Sequence, residues 1–276
     1  MSASDTSILL IGESGVGKTH YGAQLLKRLM KGDGSLRMNG AATNLEPFEA
    51  AMDSLNEGKA AHHTPISTYA DSVWPIIDVE GRNAQLVWPD YGGEQVKAMS
   101  AKRRIPAAWR ERIIAAPMWL LLLRLQQSRI SDDILSRPLS ELKGSGCDNR
   151  EIQVSDQARL IELMQMLVYI RGATSLEPLH SPLCVLLSCW DELGIDDVPA
   201  TVLAQRLPML SSYLTSTWAD PSILGLSALE RPLTPVGCDD GYAARGPEQF
   251  GYVVLADGTR STDLTLPIQL LLEKRF

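Results

Sequence analysis

The chain has 276 residues, 45% of them hydrophobic, enough to bury a full core in one large domain or two small ones. Its formal net charge of -7 gives no reason to expect a nucleic-acid backbone as main partner. The cysteines Cys147, Cys184, Cys189 and Cys238 form no C-x-x-C pair and have no His cluster beside them, which argues against a structural zinc site and for a reducing, cytoplasmic compartment.

The apolar run from Ile8 to Ile11 is too short for a signal peptide. No segment approaches the length of a membrane span, and the final Glu-Lys-Arg-Phe carries no prenylation cysteine, so direct membrane insertion is not expected. Ile8 to Ile11 reads instead as a buried strand ending at Gly12. From Lys18 to Met30 the pattern turns helical, with Tyr21, Leu25, Leu26 and Leu29 on one face, until Gly32 and Gly34 break it. Strand, Gly-rich loop and helix make the first unit of a parallel α/β sheet.

The loop between them, Gly12-Glu13-Ser14-Gly15-Val16-Gly17-Lys18-Thr19, matches G-x-x-x-x-G-K-[ST] in full. A loop that wraps a β-phosphate must point successive backbone N–H groups inward, and side chains at Gly12, Gly15 and Gly17 would obstruct that. The following helix adds its positive end. Lys18 is expected to bridge the β- and γ-phosphates and the Thr19 hydroxyl to ligate Mg²⁺, with His20 as a further nucleotide contact.

Beyond this, a short helix is expected around Pro47 to Leu55, then strands at Val73 to Val79 and Gln85 to Trp88 joined by a turn at Glu80 to Asn83. Pro75 places the first of these strands at a sheet edge. Met118 to Gln126 reads as a buried strand, and residues 127–156 as an insertion or long loop. An amphipathic helix follows over Asp156 to Arg171, then a buried strand at Leu183 to Ser188. Thr201 to Trp218 holds one or two helices broken at Pro208, and Ile223 to Leu226 is a short strand. Residues 231–276 form a C-terminal extension: a Pro- and Gly-rich loop to residue 250, a strand from Tyr252 to Leu255, and a closing helix from Leu266 that Thr265 is able to cap.

A phosphate loop with Mg²⁺ needs a second acidic group at a strand end. Asp90-Tyr91-Gly92-Gly93 supplies D-x-x-G after the run Leu86-Val87-Trp88. Asp90 can reach the metal through water, and the Gly93 N–H can bond a γ-phosphate and so report its presence.

With these motifs in order, the chain resembles the Ras-like P-loop GTPases of the translation-factor-related class from Ile8 to about Leu229. In that family a Thr some 22 residues before the switch aspartate closes over the metal; Thr68 stands at that distance from Asp90, with Thr64 as competitor. The base-reading motif N-K-x-D appears as Ser188-Cys189-Trp190-Asp191, keeping only the carboxylate that accepts from guanine N1–H and N2–H₂. Trp190 is either a stacking residue for the base or ordinary core. The last motif, S-A-K, fits Ser227-Ala228-Leu229, where the Ala228 N–H would bond guanine O6. Glu94 takes the place of the catalytic Gln, with Gln95 next to it, so intrinsic hydrolysis is expected to be slow. Arg103 and Arg104 are candidate charge stabilisers. The Ser-Cys-Trp-Asp-Glu segment, the insertion and the Gly251-Tyr252-Val253-Val254 ending look like the double-GTPase-like group of bacterial conflict and defence systems.

The expectation is one P-loop NTPase domain: a three-layer α/β sandwich on a mostly parallel six-stranded sheet with one antiparallel edge strand. It would bind Mg²⁺ and GTP or GDP, hydrolyse GTP slowly with Lys18, Gly93, Glu94 and Gln95 as the catalytic set, and switch a protein partner. Two rival readings stay open: a P-loop ATPase or kinase using ATP, and a nucleotide-bound scaffold that does not hydrolyse.

Overall fold

The computed structural model describes residues 7–62, 69–128, 155–172 and 179–275. Thr64, Thr68 and most of the 127–156 stretch lie outside the described residues, and Asp90 is described by its backbone alone.

Four parallel strands carry the molecule: β1 (Ile8–Ile11), β5 (Met118–Leu123), β6 (Leu183–Ser188) and β7 (Ser222–Ser227), side by side in that order. Two antiparallel strands, β8 (Tyr252–Val254) and β9 (Arg260–Ser261), extend the sheet beyond β7 to six. The parallel strands are apolar throughout because both faces are covered. Leu9, Ile11, Trp119, Leu121, Leu123, Val185 and Leu187 point into one core, and Ile8, Leu10, Met118, Leu120, Leu122, Cys184 and Leu186 into the other. Each fully buried large side chain contributes about 1.5–3 kcal/mol.

Helices α3 (Glu94–Lys102), α4 (Ala107–Ala115), α5 (Asp156–Ile170), α6 (Pro199–Arg206) and α7 (Pro208–Thr217) close the first core. Helices α1 (Lys18–Lys31), α2 (Glu46–Asn56) and α9 (Leu266–Glu273) close the second, where Tyr21, Leu25, Leu26 and Leu29 are fully buried as their spacing predicts. This is the expected three-layer α/β sandwich of a P-loop NTPase.

The antiparallel strands sit differently from the expectation. The hairpin β3 (Tyr69–Asp78) and β4 (Asn83–Tyr91) joins β2 (Leu36–Met38) in a three-stranded sheet of its own, with β4 lying against β1, and β3 is its middle strand rather than an edge. Pro75 is tolerated there because β2 stops short of it. Its last ladder pair is Met38 with Ile76, and the Pro75 carbonyl accepts from Asn39 N at 2.8 Å. The missing N–H of Pro75 faces the same side, where the chain is already turning away at Gly40.

Three further expectations need correction. The β5 run ends at Leu123 and passes into a 3-10 turn, Leu125–Gln127. The stretch 231–250 is not all loop: it contains helix α8 (Asp240–Arg245), capped by the Asp239 carboxylate accepting from Tyr242 N at 2.8 Å. Thr265 does not cap α9 with its side chain; its hydroxyl donates to Asp263 at 2.6 Å and accepts from Leu36 N at 3.1 Å.

Helix α1 anchors the C-terminal extension through buried polar groups. The Gln24 amide donates to the carbonyls of Ala228 at 3.0 Å and Pro247 at 2.8 Å, and Arg28 donates to Phe250 O at 2.8 Å. Tyr242 and Phe250, stacked with centroids 4.3 Å apart, are buried against Ala23, Ala51 and Leu55 of α1 and α2. Among the described residues, no helix is long and apolar enough to cross a membrane.

Candidate nucleotide site

The loop after β1 adopts the backbone that its glycines permit: Gly15 at φ 79° and Gly17 at φ 81° lie in the left-handed region, and Gly17 leads directly into α1. No acidic side chain stands in the first turn of that helix, so its positive end is left for an anion. Lys18 folds back over the loop and donates to Glu13 O at 2.7 Å. Ser14, Gly15, Gly17, Lys18, Thr19 and His20 all line a cavity of about 220 Å³ at the carboxyl ends of the parallel strands.

Gly93 lines the same cavity and is seated on the phosphate loop. A Cβ on it would lie 2.1 Å from Ser14 N and 2.3 Å from the Glu13 carbonyl carbon, so no other residue fits without moving backbone. Gly93 of the D-x-x-G segment thus packs directly against the backbone of the loop after β1. It also places the carboxyl end of β4, with Asp90, at the same edge as that of β1.

At the far side of the cavity stand Ser188, Cys189, Asp191, Glu192 and Ala228. The Ser227 hydroxyl, fully buried, donates to Asp191 Oδ1 at 2.5 Å and accepts from Glu230 N at 2.9 Å, which orients the carboxylate. Ser188 donates to Leu123 O at 3.1 Å and binds the end of β6 to that of β5. Trp190 is buried core packed over Gly225, not a stacking surface for a ligand. Burial pushes the Cys189 thiol up to about 12, so it stays neutral.

Other predicted residues are placed elsewhere. The Val16 side chain is buried in the core, and the Glu13 carboxylate turns to an ion pair with Arg159 of α5. Gly12, Glu13 and Val16 border a second cavity behind the loop. Glu94 lies 3.8 Å from Lys97, Gln95 accepts from Trp109 Nε1 at 3.3 Å, and neither lines the cavity that holds Lys18 and Asp191. Arg103 pairs with Glu162 at 2.5 Å on the surface, and neither it nor Arg104 lines the cavity.

The structure adds residues that motif reading did not find. Arg124, the first charged residue after β5, lines the cavity, donates to Gly15 O at 3.0 Å and holds Glu192 through two hydrogen bonds, one of 2.9 Å. Its hydrogen bonds to Glu192 raise its pKa further, so it is a permanent cation. A charge at the carboxyl end of a buried parallel strand is a signal the sequence does carry. The outer wall comes from two loops clasped together: Ala61 and His62 on one, Leu229, Arg231, Pro232 and Leu233 on the other, joined by Ala60 N to Thr234 O at 3.1 Å and Asp239 N to Gly58 O at 3.0 Å. His20 accepts from Ala61 N at 2.9 Å and ties the first loop to α1. No short motif marks that clasp.

The donor set fits a nucleoside polyphosphate: a Gly-rich turn opening a helix, a lysine and a threonine hydroxyl at one side, an oriented carboxylate at the other. The β1 and β6 ends are two strands apart, roughly 10 Å, a separation that one nucleotide can span. The family model described as Double-GTPase 1 matches residues 9–271.

The chain belongs to the Double-GTPase 1 family.

Membership makes it a GTP-binding protein, and the match runs from β1 to the last turn of α9, so the C-terminal extension is part of the family's own pattern. No curated protein matches the chain. Within this Double-GTPase 1 member Gly12 to Thr19 keeps every residue of G-x-x-x-x-G-K-[ST], whereas Ser188-Cys189-Trp190-Asp191 across the cavity keeps only the Asp of N-K-x-D, hydrogen-bonded by Ser227.

Proposed function

We propose that this chain is a Mg²⁺-dependent GTPase of one cytoplasmic domain that turns over slowly and acts as a regulatory switch for a protein partner, in a bacterial conflict or defence system. The observation that carries the reading is a single cavity lined by Lys18 and Thr19 and also by Asp191, whose carboxylate is braced by Ser227.

Lys18 exchanges the Glu13 carbonyl for the β- and γ-phosphate oxygens, and the amides of the Gly15–Gly17 turn receive the β-phosphate. Thr19 and Thr68 would hold Mg²⁺, with Thr64 the alternative to Thr68, and Asp90 would reach it through water. When bound, the metal neutralises charge on the phosphate oxygens. Asp191 accepts from guanine N1–H and N2–H₂ while the Ala228 N–H donates to O6. Adenine leaves that carboxylate unsatisfied at a cost of about 1–3 kcal/mol. Gly93 bonds the γ-phosphate and is released when it departs, carrying α3 with it.

Water attacks in line, and the groups available to orient it are Glu94 and Gln95. Both are engaged away from the cavity, so a partner that redirects one of them is needed for fast turnover. Without it the rate is expected near 10⁻⁴ to 10⁻² per second, on the order of unassisted GTPases. The Gln95–Trp109 hydrogen bond also favours a second reading, a scaffold that holds GTP without hydrolysing it.

The test is identification of the nucleotide released when the purified protein is denatured, followed by turnover assays with Mg²⁺ and with chelator. Recovered GDP or GTP supports the proposal; recovered adenine nucleotide overturns it. GTP that survives prolonged incubation with Mg²⁺ selects the scaffold.

A further inference from the structure

The two sides of the cavity must stay in register if one nucleotide is to engage both, yet they belong to loops that leave different strands. The phosphate loop follows β1 and the Asp191 loop follows β6, with β5 between them. Cys189 approaches the phosphate loop, its Sγ 3.9 Å from a Cβ built on Gly17, but brings no charge and no strong donor.

Arg124 leaves the intervening strand and reaches both ways. Its Nη1 donates to Gly15 O at 3.0 Å, while Nε and Nη2 donate to the two oxygens of Glu192, the residue next to Asp191. Its side chain is three-quarters buried, so the bridge is shielded from water and salt. A planar guanidinium with five donors can make three such bonds at fixed angles; a lysine cannot. Gln127, one turn on, sets its Oε1 3.2 Å from a Cβ built on Gly15 and flanks the same bend of the loop.

We propose that Arg124 is a positioning residue that locks the phosphate loop to the base-reading loop and thereby sets how long a guanine nucleotide stays bound. The inference rests on the nucleotide reading of this cavity. It goes beyond that reading in assigning residence time to a cation from β5 and to its partner Glu192, rather than to the motif residues.

The test follows dissociation of a fluorescent GDP analogue from the full chain. Arg124→Ala is expected to speed dissociation about 10- to 100-fold, the loss of one or two charge-assisted bonds. Arg124→Lys recovers part of that loss, and Glu192→Gln, which leaves the guanidinium but weakens its hold, gives a smaller acceleration. A bridge between the sides predicts one more result: binding of tripolyphosphate, which uses the phosphate side alone, changes far less than GDP binding. Equal losses for both probes reduce Arg124 to general support of the loop and overturn the proposal. So does an Arg124→Ala protein that releases GDP at the parental rate. If Arg124→Ala does not fold, Arg124→Gln, which keeps planar donors without the charge, carries the same comparison. Failure of the parent to bind any guanine nucleotide instead removes the underlying reading before any variant is measured.

Discussion

The phosphate side and the base side of the cavity are built on opposite plans. The proposed phosphate side is a run of eight consecutive residues, Gly12 to Thr19, whose requirements are written as glycines and one lysine at fixed spacing. The proposed base side is assembled from the ends of β5, β6 and β7 and the loop that follows β7, and it brings the Asp191 side chain and Ala228 to the same cavity. A loop that holds Gly15 and Gly17 at positive φ strains any other residue placed there. A side-chain site can exchange residues as long as one carboxylate stays oriented, and here Asp191 keeps its Ser227 brace while the neighbouring positions hold Ser188 and Cys189.

The contrast makes ranked predictions. Lys18→Ala should have the largest effect, lowering GTP and GDP affinity about 100-fold by removing a charged donor to two phosphates, without altering the choice of base. Calorimetric titration checks this, and retained affinity would break the account of the phosphate side. Gly93→Ala should follow: its methyl group meets Glu13 and Ser14 backbone, so either the protein loses about 1–3 kcal/mol of stability or α3 is displaced. Thermal unfolding together with protease sensitivity around Glu94 distinguishes the two.

Asp191→Asn should reduce the preference for GTP over ATP by about 10-fold or more, with tripolyphosphate binding unchanged. Competition between the two nucleotides reads it directly, and an unaltered preference would remove the base-reading assignment. Ser227→Ala should produce the same change in weaker form, about 0.5–1.5 kcal/mol, because the carboxylate remains but loses its brace.

The smallest effect on the site is expected from Asp263, remote from both sides. Burial raises its pKa, but hydrogen bonds from Thr265 and Ser35 outweigh that, and the net shift is downward. A lowered folded-state pKa means that its stabilising contribution is complete above the ordinary carboxylate range, near pH 4, and is lost as the pH falls through the folded value below it. Asp263→Asn should therefore lower stability at neutral pH and flatten the acid limb of the unfolding profile, while leaving GTP affinity and base preference at parental values.

How far the sequence was legible follows the same division. The apolar runs of β1, β5 and β6 read directly as buried strands, and the alternation of successive side chains between two cores explains why they are apolar on both faces. Helix α8 was hidden because Pro and Gly around it suggest a loop, whereas the burial of Tyr242 and Phe250 that holds it comes from α1 and α2, far away in sequence. Pro75 misled for a related reason: it forbids a continuous neighbour on one side, but says nothing about a three-residue strand that ends before reaching it.

What the chain determined locally is the phosphate loop with the apolar strand before it and the amphipathic helix after it, because glycine conformation and hydrophobic spacing are properties of a few adjacent residues. Only tertiary structure decided that Arg124 joins Gly15 to Glu192, that Ser227 orients Asp191, that Trp190 is core, and that the loops at Gly58 and Asp239 clasp the cavity's outer wall. Those are contacts between strand ends tens of residues apart, and hydrogen-bond partners at such separation are chosen by where the sheet places them rather than by any spacing along the chain.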